Sequence, residues 1–86
     1  MSREDPTERK LRLQELWRPR LGEMPESARV AELESLNEIP DAVIAVARRL
    51  SPERRAMSLI SAYLKDDQER WVRWFVRDVV YGTQCA

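Results

Sequence analysis

Residues 67–81 read DQERWVRWFVRDVVY. Wound at 3.6 residues per turn, Trp71, Val72, Trp74, Phe75, Val76, Val79 and Val80 cover more than half the circumference of a helix. A surface helix needs one apolar stripe, a little over a quarter-turn wide. The segment is therefore either enclosed by the rest of the fold or keeps part of its apolar surface for a partner. Its arc has two sides. Trp71, Trp74 and Phe75 form an aromatic side next to Arg70 and Arg73, and Val72, Val76, Val79 and Val80 form a valine side. The valine side is expected to pack on another apolar helix. The aromatic side, with Arg70 and Arg73, is the expected protein interface, because Trp and Arg are enriched at binding hot spots.

The other apolar helix is expected at Asp41 to Leu50, after Pro40. Its run Ala42-Val43-Ile44-Ala45-Val46-Ala47 is apolar all round, which predicts a buried helix or one at the centre of an interface. Its β-branched residues have modest helix propensity, so tertiary packing must hold it.

Prolines and caps divide the remaining chain. Asp5-Pro6-Thr7-Glu8 supplies an N-cap acid, a proline for the first helical position and a Glu three residues after the cap. Leu13, Leu16 and Trp17 are the expected apolar edge of this first helix, with Leu21 further on, and Pro19 is expected to end or kink it. A second, acidic helix is expected from Pro25 or Ser27 to about Asn37, with Ala28 or Val30, Leu33 and Leu36 inward. Ser51-Pro52-Glu53 starts a fourth helix, with Ala56, Met57, Leu59, Ile60, Tyr63 and Leu64 on one side. Asp66 or Asp67 caps the fifth helix and Gly82 ends it. Glycine is scarce, and no segment alternates with period two over a strand's length. The expectation is one all-α domain over residues 1–86, a small bundle or orthogonal array of four to five helices, frayed at 1–4 and 83–86.

Charge is balanced overall but unevenly placed. Residues 23–41 carry Glu23, Glu26, Glu32, Glu34, Glu38 and Asp41 against Arg29 alone, a balance of −5. Residues 42–65 carry Arg48, Arg49, Arg54, Arg55 and Lys65 against Glu53 alone, a balance of +4. Such asymmetry can guide the docking of neighbouring helices or of two copies. No run approaches the roughly 18 apolar residues of a membrane span, and the charged start MSREDPTERK lacks the apolar core of a signal peptide. The single cysteine, Cys85, makes no intrachain bridge. A cytoplasmic protein without membrane association is expected.

The chemistry available is narrow. The chain has no histidine, which removes the usual general base near neutral pH and the commonest neutral metal ligand. No glycine-rich phosphate loop is present. No enzyme activity, cofactor or metal is expected. The function class expected is a protein–protein interaction module, an adaptor, inhibitor or regulator that self-associates through an aromatic and apolar helix face. The alternative is a small nucleic-acid-binding regulator. It rests on Arg48, Arg49, Arg54 and Arg55, which flank a helix junction and resemble an anion site in kind. The neutral total charge weighs against it, since nucleic-acid modules carry a clear positive excess.

Overall fold

The computed structural model describes residues 5–65 and 67–82. Among them are five helices and no strand: α1 (Pro6–Gly22), α2 (Glu26–Glu34), α3 (Asp41–Ala47), α4 (Pro52–Leu64) and α5 (Glu69–Phe75), the last running on as a π-helical turn over Val76–Val80.

The starts follow the caps. Asp5 sits in an extended conformation and its carboxylate accepts from the Thr7 N–H at 3.1 Å. Ser51 holds the same position before α4, but its hydroxyl makes no capping hydrogen bond. The start of α5 is Glu69, with Gln68 in the cap position instead of Asp67. Asp66 lies outside the described residues, as do the expected frayed ends 1–4 and 83–86. Gly82, at φ +64°, closes the chain's last helical segment in the left-handed region where glycine is favoured.

Three boundaries differ from expectation, the first being α2, which stops at Glu34 instead of about Asn37. Pro19 neither ends α1 nor falls at its edge, for the helix continues to Gly22. A proline inside a helix leaves the carbonyl four residues back without its donor. Burial of Trp17 and Leu21 on either side of Pro19 offsets that cost. Leu13, Trp17 and Leu21, spaced by four, form the buried stripe, whereas Leu16 points outward and is 54% exposed. The third helix stops at Ala47, not Leu50, which leaves a four-residue connection, 48–51, to α4.

Helix α4 is the centre of the array and touches α2, α3, α5 and the π turn, while α1 lies against the π turn. Ala56, Leu59, Ile60 and Leu64 of α4 are buried, as the sequence spacing implied. They meet Val30 and Leu33 of α2, Trp17 and Leu21 of α1, and Phe75, Val76 and Val80 in a single cluster. Trp17 and Tyr63 tie α1 to α4 edge-to-face, with ring centroids 5.7 Å apart. The Arg9 guanidinium reinforces this by donating to the Leu64 carbonyl, beside the left-handed Lys65 that terminates α4. Ile39, in the loop between α2 and α3, is also buried.

The π turn explains how the last helix buries so much. Its buried residues come in adjacent pairs every four positions: Trp71–Val72, Phe75–Val76 and Val79–Val80. In a continuous α-helix each such pair would drift by about 40° from the last, because four residues overshoot a 3.6-residue turn. The turn closed by Tyr81 N–H to Val76 O at 3.0 Å spans five residues and underwinds the helix. That takes up drift between Phe75–Val76 and Val79–Val80 and keeps the last pair against the core. The valines meet α1, α2 and α4; the pairing expected between the valine side and helix 42–50 is replaced by these contacts, and α3 packs on α4 instead.

Candidate protein-interaction surface

The aromatic side of the last helix is closed. Trp71 is 6% exposed and Phe75 is 1% exposed, with their rings 5.3 Å apart. Trp74 is half-buried and meets Phe75 edge-to-face at 6.4 Å. The Lys10 ammonium, from α1, lies 6.0 Å from the Trp71 ring centroid and 5.9 Å from that of Trp74, within the range of a cation–π contact. Arg70 and Arg73 are exposed, and Arg73 donates to the Glu69 carboxylate at 2.8 Å, one turn away. Of the five residues expected to form an interface, two are therefore interior. Both lie in α5, before the π turn, and cover from neighbouring helices makes them interior, which a helical wheel does not reveal.

The four arginines around the α3–α4 connection do not act as one cluster. Arg55 turns inward: its Nε donates to the Ala47 carbonyl at 3.3 Å and its Nη2 to the Arg48 carbonyl at 3.1 Å. These are carbonyls at the end of α3, which lack partners within that helix. Glu34 of α2 pairs with Arg48 at 3.3 Å and lies 3.9 Å from Arg55. Arg49 and Arg54 are exposed and form no ion pair among the described residues. The four-residue connection leads into α4, whose first residues Pro52, Glu53 and Arg54 are exposed, whereas every residue from Arg55 to Leu64 is buried or half-buried.

The open apolar surface is on α3. Val46 is 60% exposed, Ala42 and Ala45 are exposed, and Val43 and Ile44 are half-buried. Only Ala47 is fully buried, against α4. The all-apolar run predicted a buried helix or one at the centre of an interface, and the structure seats one edge of α3 and leaves the opposite side bare. Ala42, Ala45, Val46 and Arg49, at spacings of three and four, form that outward stripe, with Asp41 at its N-terminal end. The turn after α3 keeps the winding, through Arg48 N–H to Ile44 O at 3.0 Å and Arg49 N–H to Val46 O at 3.1 Å. Leu11 and Leu16, 53% and 54% exposed, are separated by about 140° around α1 and form no common stripe.

An open cleft of about 520 Å³ lies where the starts of α2 and α4 approach the end of the π turn, lined by Glu26, Pro52, Glu53, Arg77 and Tyr81. The Tyr81 hydroxyl is buried with no hydrogen-bond partner among the described residues. Burial of the phenol, then the carboxylates of Glu26 and Glu53, raise its pKa above the usual 10.0, opposed by Arg55. No charged side chain among the described residues is buried, and no group of three His, Cys, Asp or Glu residues among them is placed to hold a metal. No described helix is long and apolar enough to cross a membrane. Comparison with protein-family models, curated proteins and solved structures finds no match.

Proposed function

We propose that the chain is a small non-enzymatic protein-interaction module whose docking surface is the outward side of α3. The observation that carries this is the exposure of Val46, at 60%, on a stripe whose other helical members are Ala42 and Ala45. Isolated exposed apolar residues are ordinary, but an entire apolar helix side bordered by charge is a feature of contact sites. Small alanines let a partner helix approach closely, and a projecting valine gives it something to close over. The lack of histidine supports a role in docking rather than catalysis.

The test is a photo-crosslinking amino acid placed at Ala45, in purified chain added to extracts of the source cells, against the same group at Glu15 on α1. The reading expects a discrete protein adduct from position 45 alone, lost on Val46→Asp. Equal labelling from both positions, or an adduct indifferent to Val46→Asp, would overturn it.

A further inference from the structure

We infer that the partner covering α3 is a second copy of this chain, docked antiparallel about a two-fold axis near Ala45. The inference rests on the reading of α3 as a docking surface and specifies its occupant. Its warrant is the charge left over once the fold has satisfied itself. Within the chain, Glu32 is paired with Arg20, and Glu34 with Arg48 and Arg55. The acids left at the start of α3 are Glu38 and Asp41, and the bases left beyond its end are Arg49 and Arg54. All four are exposed, and none forms an ion pair among the described residues.

Asp41, Ala45 and Arg49 are spaced by four on the bare side, so a small residue lies midway between opposite charges. A two-fold axis through Ala45 brings Asp41 of each copy to Arg49 of the other, twice, with the alanines in contact between them. A self-complementary patch of this kind is what an isologous dimer requires. The antiparallel arrangement also sets the positive end of each helix beside the negative end of its mate. Val46 of each copy then closes over Ala42 and Ala45 of the other. The patch is smaller than the roughly 800 Å² per partner of a standard interface, so the dimer is a weak one, with a dissociation constant on the order of tens to hundreds of micromolar.

The test uses the full chain in sedimentation equilibrium, from about 10 to 500 micromolar at low and high salt. The expected result is a monomer–dimer equilibrium that salt weakens. Asp41→Lys and Arg49→Glu should each weaken it by roughly tenfold or more, since each places like charges at both ends. An equimolar mixture of the two variants should recover the dimer, because the lysine introduced at position 41 of one then meets the glutamate introduced at position 49 of the other, while the unaltered Arg49 and Asp41 meet at the opposite end. An independent arm leaves the charges intact: Ala45→Cys, with Cys85→Ser, should form an intermolecular disulfide under mild oxidation, and Glu15→Cys in the same background should not. A chain that stays monomeric and uncrosslinked overturns the second copy while leaving the photo-crosslinking test of α3 to be decided separately. A dimer unaffected by either charge reversal, or variants that stay folded but fail to recover when mixed, also overturns it.

Discussion

Arg29 donates from Nη1 to the carbonyl of Val80 at 2.7 Å, across 51 residues of sequence, while its Nε donates to the Met24 carbonyl at 3.1 Å. One guanidinium thus joins the entrance of α2 to the exit of the π turn, serving carbonyls on both elements. Hydrogen bonds from a charged donor contribute about 1.5–3 kcal/mol when half-buried. Arg29→Ala should lower the stability measured by urea unfolding by about that much, and Arg29→Lys should restore little, because a point charge cannot span both acceptors. Gly82 lies against the same group: a Cβ there would sit 3.0 Å from Arg29 Nη1, at a φ of +64°. Gly82→Ala should cost about 1 kcal/mol. The double variant should lose less than the sum of the two, and strict additivity would show that the contact carries no energy.

Stability should separate the interior aromatics from the outward side of α3. Phe75→Ala empties a site that is 1% exposed and should cost about 3–5 kcal/mol. That is a large share of the total available to a domain of this size, roughly 5–15 kcal/mol, so the variant should be substantially unfolded at 37 °C by circular dichroism. Val46→Ala, at 60% exposure, should stay within about 0.5 kcal/mol of the parent. A large loss at Val46 would mean that α3 is supported from the side described as open.

Arg55 and Arg54 are neighbours with opposite roles. Arg55 holds the terminal carbonyls of α3, and Arg54 is exposed. Hydrogen exchange should therefore show the amides of Arg48, Arg49 and Leu50 exchanging about tenfold faster in Arg55→Ala, the equivalent of one or two net hydrogen bonds. Arg54→Ala should leave them unchanged.

Tyr81 gives a pH dependence of definite sign. Its pKa is raised in the folded chain, so the fold favours the neutral phenol. That contribution is fully present below pH 10 and is lost as pH rises past 10 through the folded-state value. Tyr81→Phe should flatten the alkaline loss of stability measured by urea unfolding between about pH 9 and 11. At neutral pH it should be at least as stable as the parent, because the hydroxyl it removes is buried without a partner.

Much of this architecture was legible in the residues. Asp5-Pro6 and Ser51-Pro52 mark helix starts because proline's missing N–H costs nothing there. The inward side of α4 follows from its spacing alone. Pro19 did not end α1, because its local penalty competes with the burial of Trp17 and Leu21, a long-range quantity. Which apolar surface stays open was not legible, for two different reasons. Trp71 and Phe75 looked open because periodicity shows how wide an apolar arc is, not which part of it the neighbouring helices cover. Helix α3 was left between burial and an interface because hydrophobicity says that a side chain prefers cover, not whether this chain supplies it. The Arg48–Arg55 group looked like one positive patch, and its partition follows from Glu34 and the α3 carbonyls, which only the folded chain brings near.

The π turn also changes what divergence can do to the last helix. Next to the exposed Arg70, the solvent-facing positions Glu69, Arg73 and Arg77 fall into a four-residue cadence that runs beside the buried pairs. Individual residues in either lane can be exchanged for others of like polarity, but the cadence cannot be lost without rotating half of the helix off the core. A single deletion between Val76 and Val80 would restore ordinary winding and swing Tyr81 toward the place of Val80. A distant relative of this chain should thus be recognisable by rhythm, an adjacent apolar pair every four positions, three times over, where its letters no longer agree.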